Sequence, residues 1–159
     1  MKEVKHAASD RTPVNMTEIV LPSHTNALGT IFGGVVMSWI DIAAAIAAIR
    51  YARSQAVTVS IDYLHFIVPI KIGHTVCISA EVTYVGKTSM EIEVVVEAEN
   101  SITGQKRKAT HAYLTFVAVD EYGKPKPVPP LVPRNEVEKK KYKEAEKRRA
   151  RRLELSRDL

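Results

Sequence analysis

The segment HTNALGTIFGGVVMSWID, residues 24–41, leads without a break into an apolar, alanine-rich run. From Gly33 to Ile49 there are too many alanine and methionine residues for a strand, and the polar residues Ser38 and Asp41 lie one turn apart. This pattern predicts a helix that is apolar nearly all round, which is typical of a buried helix. Asp41 is the only acid in the stretch. A charge in such surroundings must be paired, cost stability or take part in chemistry.

The ends of this predicted helix carry the residues that helix ends favour. Residues 25–29 supply turn chemistry, and Gly33 and Gly34 leave backbone N–H groups free at the helix start. Arg50 and Arg53 place positive charge at the C-terminal end, where it suits the helix dipole. A transmembrane span fits poorly, because a central aspartate costs about 2.5 to 3.5 kcal/mol on insertion scales. We therefore expect the core helix of a soluble protein and no membrane span.

Length and composition indicate one globular domain in a reducing compartment. The 159 residues are 45% hydrophobic, which is enough for a substantial core. The first 15 residues are charged and polar, without the apolar stretch of a secretory signal. Cys77 is the single cysteine, so no internal disulfide or cysteine-rich metal cluster can form. We expect a cytoplasmic protein.

The positive charge belongs to the C-terminal end of the chain. Residues 1–133 hold 12 Lys+Arg and 12 Asp+Glu, whereas residues 134–159 hold 11 and 6, which accounts for the net charge of +5. The stretch KPKPVPPLVPR before this tail contains five prolines, which stop helices and interior strands. We expect a domain over residues 1–133, followed by a basic tail that is a solvated helix or disordered. Tyr142 is the tail's only aromatic residue, so nucleic-acid binding is not expected.

After the helix the hydrophobic pattern changes to the period of strands. Stretches rich in β-branched and aromatic residues, or alternating between apolar and polar positions, are separated by turn residues such as Pro69, Gly73 and Gly86. The predicted fold class is α+β: a long central helix wrapped by an antiparallel five-stranded sheet. The predicted strands are residues 16–21, 57–67, 76–84, 90–98 and 108–120.

This order of elements resembles the hotdog fold, in which a sheet wraps one long helix. The stretch PSHTNALGTIFGGVVMSWIDIAAAIAA, residues 22–48, is similar to the signature of acyl-coenzyme A thioesterases of the bacterial short-chain and brain acyl-CoA hydrolase type. Its most specific part is the mutual spacing of HTN, GTIFGG and the helix aspartate. Residues 66–73 and 85–89 are similar to later segments of that family. The resemblance covers roughly residues 12 to 128 and leaves the basic tail outside.

The resemblance implies hydrolysis of acyl-CoA thioesters to free fatty acid and coenzyme A, with Asn26 and Asp41 as the catalytic pair. It also implies sites between chains, in a homodimer at least and in a hexamer built as a trimer of dimers. Coenzyme A is part of the substrate, and we expect no cofactor. We also expect no metal site, because His65, His74 and His111 show no ligand-like spacing.

The chemistry of these residues agrees with the reaction. Thioester hydrolysis needs a base for water or a carboxylate nucleophile, together with donors for the oxyanion, while a thiol pKa of about 8.5 makes the thiolate a good leaving group. Asp41 can be the base or the nucleophile. The N–H groups of Gly33 and Gly34, at the positive end of the helix dipole, are natural oxyanion donors. The amide of Asn26 can hold the carbonyl or orient the water.

Each assignment has a plainer structural alternative. Asp41 alone could equally be a buried charge answered by a core cation, and Asn26 alone is more often a turn residue; the motif context favours catalysis. Further substrate contacts are expected from loop residues, from cations that suit the phosphates of coenzyme A, and from hydroxyls that suit its pantetheine. Each of these cations could equally be a solvated surface charge. The candidates are His24, Thr25, Arg53, Lys87, Thr88, Ser89, Lys106, Arg107 and Lys108.

Two other functions fit the same architecture. Hotdog enoyl-thioester dehydratases use a histidine before the helix, but here His24 lies 17 residues before Asp41 and the dehydratase-type Pro-Gly context is absent. A non-catalytic acyl-CoA sensor would not need a buried acid beside the thioester. Activity that survives Asp41→Asn but not His24→Ala would favour the dehydratase.

The helix geometry predicts an active site shared between two chains. A helix rises about 1.5 Å per residue, so Asp41 lies roughly 12 Å from the N–H groups at its start. One carbonyl needs both groups within about 3 Å. A two-fold dimer with antiparallel neighbouring helices brings each helix start to the other chain's Asp41. The alanine runs at 43–45 and 47–48 would permit close approach of the two helices.

Overall fold

The computed structural model describes residues 9–158 and confirms the predicted α+β fold. Residues 1–8, on which the expectation of no secretory signal partly rests, lie outside the described residues, as does residue 159. The elements are β1 (Val14–Ile19), a 3₁₀ turn (Pro22–His24), α1 (Gly33–Ala52), β2 (Gln55–Phe66), β3 (Thr75–Val85), β4 (Ser89–Glu99), β5 (Lys106–Val119), α2 (Glu136–Leu155) and a final 3₁₀ turn (Ser156–Asp158).

The five strands form one antiparallel sheet in the order β1-β3-β4-β5-β2. β1 and β2 are therefore its edges. The four later strands lie within about two residues of their predicted bounds. β1 ends earlier than predicted, at Ile19, because Pro22 already begins the 3₁₀ turn. The alternation predicted for β4 is confirmed, since the residues that face α1 are all buried: Met90, Ile92, Val94, Val96 and Ala98.

α1 lies across the inner face of the sheet and forms the centre of the core. It runs three residues beyond the predicted end at Ile49, and Arg53 ends it in the left-handed conformation with φ 50°. Its small side chains let the helix lie close to its own sheet. Of the five alanines in the runs at 43–45 and 47–48, four are buried against this sheet, so the expectation that the runs admit a second chain's helix is wrong for these four. The alanines buried within the chain are Ala43, Ala44, Ala47 and Ala48.

The side of α1 that faces away from the sheet is open. By length and composition α1 could cross a membrane, a test that core helices of soluble proteins also pass; here it is the core helix. We call the exposed residues Gly34, Ser38, Ile42 and Ile49 the open stripe of α1. Asp41 lies beside this stripe and is partly exposed. The open stripe is therefore where a ligand or a second chain can reach the helix.

The C-terminal segment forms a capped helix, α2. Asn135 accepts a hydrogen bond from the N–H of Glu138 at 2.9 Å, and the Glu138 carboxylate accepts one from the N–H of Arg134 at 2.8 Å. This exchange is close to a capping box, which explains why the helix starts there. Arg11 also donates to Glu138 at 2.8 Å. The first turn of α2 is thus tied to the chain just before β1.

Ion pairs dock α2 on the outer face of the sheet. Lys141 pairs with Glu93 at 2.8 Å and also with Glu81. Arg148 donates two hydrogen bonds to Glu91, at 2.8 and 3.0 Å, and a further ion pair farther along α2 joins the helix to β2. The predicted helix is confirmed, but the expectation that it is solvated is wrong. Charged contacts, together with the packing of Tyr142 and Ala145, dock it on the sheet.

Candidate active site

A tight loop places Asn26 just ahead of α1. The N–H of Asn26 donates to the carbonyl of Thr30 at 2.9 Å, and the N–H of Phe32 donates to the carbonyl of His24 at 2.9 Å. Gly29, at the tip, has φ 74°, a conformation that glycine adopts without strain. The loop therefore returns the chain beside Asn26 at the point where the helix begins.

The Asn26 side chain holds this loop together. Its Oδ1 accepts hydrogen bonds from the N–H groups of Leu28 at 2.9 Å and Thr30 at 3.2 Å, and its Nδ2 donates to Oγ1 of Thr30 at 2.9 Å. The plainer interpretation of Asn26 as a turn residue is thus confirmed. It does not exclude a second role, because Nδ2 carries two hydrogens and these contacts use one.

The N–H groups at the start of α1 remain available to a ligand. Phe32 occupies the N-cap position and supplies no side-chain acceptor, so the amides of Gly33 and Gly34 lack the helical partners that later residues have. A Cβ at Gly34 would meet nothing within 4 Å, whereas one at Gly33 would lie 3.1 Å from Cζ of Phe66. Gly33 therefore permits the Phe66 ring to lie over the helix start, and Gly34 faces open space.

Asp41 is held by a threonine rather than by a cation. Its Oδ1 accepts a hydrogen bond from Oγ1 of Thr58 on β2 at 2.7 Å. Among residues 9–158 no Lys, Arg or His forms an ion pair with Asp41. The alternative of a buried charge answered by a core cation is therefore wrong. Sequence reasoning missed Thr58, which in the sequence is one β-branched residue among many in a strand.

Asp41 and the helix start lie too far apart to act on one carbonyl within a single chain. Both belong to the unbroken α1, and the eight residues from Gly33 to Asp41 span about 12 Å at 1.5 Å per residue. Gly34 lies on the open stripe, and Asp41 lies beside it. A second chain facing this stripe could bring the two kinds of group together.

Two adjoining cavities lie at the end of the sheet where α1 starts. The first, of about 310 Å³, is lined mainly by apolar residues that include Phe66 beside Gly33. The second, of about 440 Å³, adjoins the first through Val68 and Pro69. An apolar cleft thus continues into a basic one. Arg107 was predicted as a substrate-binding candidate, whereas Lys71 and His74 of the loop there were not. The basic residues that line the second cavity are Lys71, His74 and Arg107.

His24 and Thr25 support the loop. Nδ1 of His24 accepts a hydrogen bond from the N–H of Leu21 at 3.1 Å, and the ring packs edge-on against Trp39 with centroids 5.3 Å apart. Oγ1 of Thr25 donates to the carbonyl of Pro22 at 2.8 Å. These contacts agree with the expectation that His24 and Thr25 are loop residues.

The other substrate-binding candidates divide between the two ends of the sheet. The β2–β5 register sets Phe66 opposite Thr110 and Gln55 opposite Val119, so these ends are roughly 30 Å apart at about 3.3 Å per residue. Lys106, Arg107 and Lys108 lie at the end near Phe66, where α1 starts. The remaining candidates lie at the opposite end, where α1 stops and the β3–β4 hairpin meets β5, and no single site within one chain contains them all: Arg53, Lys87, Thr88 and Ser89.

Comparison with known proteins identifies the family. The model of the thioesterase superfamily matches residues 28–105. YkhA of Bacillus subtilis, an uncharacterized acyl-CoA thioester hydrolase, is 46% identical to this chain over 122 residues, which are 77% of this chain and 71% of YkhA. The chain belongs to the acyl-CoA thioester hydrolases. It is an acyl-CoA thioesterase, as its sequence predicts.

Solved structures extend this likeness over nearly the whole chain. An apo-hexameric acyl-CoA thioesterase matches with a TM-score of 0.88 and 43% identity, covering 94% of this chain and 96% of that one. The acyl-CoA hydrolase of Staphylococcus aureus, in complex with butyryl coenzyme A and coenzyme A, matches with a TM-score of 0.82 and 39% identity over 92% of both chains. These matches confirm the hotdog fold. They also extend into α2, which the sequence resemblance left outside, and the dehydratase and sensor alternatives give way to the thioesterase.

Proposed function

We propose that this acyl-CoA thioesterase works in a composite site, with Asp41 of one chain facing Asn26 and the helix start of a second chain. The observation that carries the proposal is the separation of about 12 Å between Asp41 and the helix start within one unbroken helix. The reacting carbonyl must lie within about 3 Å of both groups. Two facing copies of α1 meet this requirement twice, because two-fold symmetry makes the two sites equivalent.

Asp41 supplies the carboxylate of the reaction. As a general base it takes a proton from water as the water attacks the thioester carbonyl; as a nucleophile it forms an anhydride that water then opens. In both cases the C–S bond breaks and coenzyme A leaves as the thiolate. The hydrogen bond from Thr58 holds one carboxylate oxygen and leaves the other for the reaction. We therefore assign Thr58 the role of positioning Asp41.

The helix start stabilises the oxyanion that forms. The amides of Gly33 and Gly34 lie at the positive end of the α1 dipole, and donors at such a position strengthen as negative charge develops on the carbonyl oxygen. The unused amide hydrogen of Asn26 is available for the carbonyl or the attacking water. Replacing Gly34 with a bulkier residue would fill the space through which the thioester approaches.

Variants of the Staphylococcus aureus enzyme support this choice of residues. In separate structures an asparagine, an aspartate and a threonine of that enzyme are each replaced by alanine. In sequence order these residues are separated by 15 and 17 positions. The same two intervals separate Asn26, Asp41 and Thr58 in this chain.

The basic cavity suits the phosphates of coenzyme A. It adjoins the apolar cleft at the helix start, and arginine and lysine are the side chains that bind phosphate best. We assign Lys71 and Arg107 to these phosphates, with Lys108 close to the same end. The candidates at the opposite end of the sheet act on this substrate only from a second chain: Arg53, Lys87, Thr88 and Ser89.

Exposed apolar side chains support assembly with further copies of the chain. Ile42 and Ile49 of the open stripe and Val57 and Val59 of the edge strand β2 are each 43% to 58% exposed. Apolar residues clustered at a surface mark interaction sites. We propose a homodimer as the minimum and a trimer of dimers beyond it, as the hexameric relative suggests. We also propose a cytoplasmic location, because Cys77 is a free thiol.

The Asp41→Asn variant tests the catalytic assignment. It keeps the shape of the side chain and removes the base, so kcat should fall by at least about 100-fold. Ser38→Ala is the matched control, because Ser38 lies one turn earlier on the open stripe, and it should stay within a few-fold of the wild type. We further propose that the reaction needs neither metal nor cofactor, so a chelator should leave kcat of the wild type unchanged. Full activity of Asp41→Asn would refute the assignment.

Mixed dimers test the composite site. Asn26→Ala and Asp41→Ala chains, each inactive alone, are refolded together, and the mixed dimers are isolated with two affinity tags. In a composite site one of the two sites then carries both lesions and the other carries none. Activity near half that of the wild type is expected. Verified mixed dimers that stay inactive would contradict the shared site while leaving the role of Asp41 intact.

A further inference from the structure

Three polar side chains form a hydrogen-bonded row on the outer face of the sheet, on the side opposite α1. Nζ of Lys108 lies 3.1 Å from Nδ1 of His111, and Nε2 of the same imidazole lies 2.9 Å from Oε1 of Glu93. The order is amine, imidazole, carboxylate. In catalytic triads this order lets a carboxylate orient an imidazole that takes a proton from a nucleophile.

The contacts of Glu93 determine which nitrogen of His111 is free to act as the base. A carboxylate only accepts hydrogen bonds, so Nε2 carries the proton and Nδ1 is left as an acceptor facing Lys108. Burial alone would raise the pKa of Glu93, but the ammonium of Lys141, 2.8 Å from its other oxygen, and the contact with His111 lower it. Tyr113 also donates to Oε1 of Glu93, at 3.3 Å. Glu93 therefore stays charged and keeps the imidazole in one orientation.

The amine of this row is accessible, whereas the imidazole and the carboxylate are shielded. Lys108 is exposed, while 19% of the His111 side chain and 11% of the Glu93 side chain are exposed. The β4–β5 register places Glu97 opposite Lys108, yet within residues 9–158 no ion pair joins the two. A nucleophile open to solvent thus lies beside an oriented base.

We propose that Lys108 is a nucleophile that the enzyme's own thioester substrate acylates, with His111 as its base and Glu93 as the positioning residue. The unprotonated amine attacks the thioester carbonyl, and as the N–C bond forms the nitrogen gives its proton to Nδ1 of His111. The C–S bond then breaks, and the imidazolium returns the proton to the departing thiolate. The products are an amide on Lys108 and free coenzyme A. The atoms balance without an oxidant or a reductant.

The first test compares two lysines of the same strand. The full-length protein is incubated with butyryl coenzyme A, and the butyryl occupancy of each lysine is followed by peptide mass spectrometry. Lys106 is the matched control, because it is also exposed but its ammonium faces Glu99 at 3.6 Å rather than an imidazole. Lys108 should react at least about tenfold faster than Lys106, which is below the usual gain from a positioned general base. Equal rates at the two lysines would overturn the proposal without any variant.

Variants then distinguish the role of His111 as the base from the role of Glu93 as the positioning residue. His111→Asn should lower the rate at Lys108 to that at Lys106. Glu93→Gln should change the pH dependence of the rate at Lys108, because the imidazolium loses its counter-charge. Lys141→Gln is the matched control, since it removes another partner of Glu93 without touching His111. The remaining ring neighbours that face His111 are Tyr63 and Tyr113, and His65 stacks on Tyr63.

The same incubation in the Asp41→Asn background keeps this proposal independent of the catalytic assignment. That variant should preserve the thioester for longer and leave the ratio of the two lysine rates unchanged. If it still hydrolyses butyryl coenzyme A, the catalytic assignment fails while the lysine ratio can still be measured. An unchanged rate at Lys108 in folded His111→Asn protein would overturn the role of the imidazole.

Discussion

The two helices of this chain have the same length and stay in place for opposite reasons. α1 and α2 each contain 20 residues. Nine residues of α1 are buried, and all nine are apolar or aromatic, whereas in α2 only Ala145 is buried. The inner face of the sheet therefore holds its helix by apolar burial, and the outer face holds its helix mainly by charge, with apolar contacts from Tyr142 and Ala145. One sheet can use both kinds of binding because its two faces carry different residues on the same strands.

On the outer face the strands and α2 depend on each other. Glu81 and Glu93 stand opposite each other across β3 and β4, where two like charges repel. Lys141 pairs with both and removes that repulsion. Glu91 is only 2% exposed, and Arg148 is its basic partner. Without α2, Glu91 would lose its two hydrogen bonds from Arg148, and the sheet would be left with an opposed pair of acids.

Deleting residues 134–159 should have the largest effect on stability. A solvated tail would make this deletion harmless, whereas the docked helix predicts a loss of stability. The free energy of unfolding should fall by more than about 3 kcal/mol, because Glu91 loses two charge-assisted hydrogen bonds worth about 1.5 to 3 kcal/mol each and the apolar contacts of Tyr142 and Ala145 are lost as well. Urea unfolding followed by circular dichroism measures the change, and deletion of residues 156–159 is the control. An unchanged midpoint would show that the charged contacts contribute nothing.

Ile40→Ala should destabilise the protein through lost apolar packing on the inner face rather than through lost charge. Ile40 is fully buried in α1, and its truncation should cost about 2 to 5 kcal/mol through lost burial and a cavity. Because the loss is apolar, it should vary little between low and high salt. Ile42→Ala, on the open stripe, is the matched control and should weaken assembly more than folding. Equal losses of stability from the two variants would contradict the difference in burial.

Arg148→Met tests how much the ion pair with Glu91 contributes to stability on the outer face. It leaves Glu91 buried without its two hydrogen bonds from Arg148, so the protein should lose about 3 kcal/mol, the lower end for a broken buried pair, since Arg148 is itself partly exposed. Adding Glu91→Leu should recover most of the loss, because the uncompensated charge is then gone. Thermal unfolding of both variants measures this coupling. A double variant as unstable as Arg148→Met would show that packing, not charge, explains the loss.

Acid should loosen α2 before α1, with a smaller effect than these substitutions. The guanidinium of Arg134, helped by Arg11, lowers the pKa of Glu138 from 4.5 to about 2. A lowered pKa stabilises the folded state above pH 4.5, and this contribution is lost as the pH falls toward 2. Hydrogen exchange at the first turn of α2 should therefore rise over that range while α1 stays protected. Glu138→Gln should remove the pH dependence of that turn.

The packing of the inner face could be predicted from the sequence because the residues that form it follow a local, periodic pattern. The alternation of Met90, Ile92 and Val94 places one face of β4 against a helix whose own apolar length is visible in the sequence. The outer face was not predictable in the same way, because its ion pairs join residues far apart in the chain. The Glu91–Arg148 pair spans 57 positions. No local sequence pattern around either residue identifies the other as its partner.

The residues of the candidate site likewise differ in whether a local pattern could predict them. Asn26, Gly33, Gly34 and Asp41 lie in one segment whose motif could be read directly, and the loop and the free helix start lie where the sequence predicts. Asp41 was expected to be buried and is partly exposed, because one side of α1 is open. Thr58 was missed, because only the path of β2 past α1 brings its hydroxyl to the carboxylate. Lys71 and His74 of the basic cavity were missed for the same reason, since the loop before β3 meets the candidate Arg107 at the start of β5 only in the folded sheet.

The connection between α1 and β2 also makes the contact between Asp41 and Thr58 a local one. Only two residues separate Ala52 from Gln55, and Arg53 turns the chain with its left-handed φ. The hydrogen bond between Thr58 and Asp41 closes a loop of 17 positions, a small entropic cost for a nascent chain. β5, the sheet partner of β2, is synthesised later. The acid and its threonine can therefore meet on the ribosome before the strand that will hold β2 in the sheet exists.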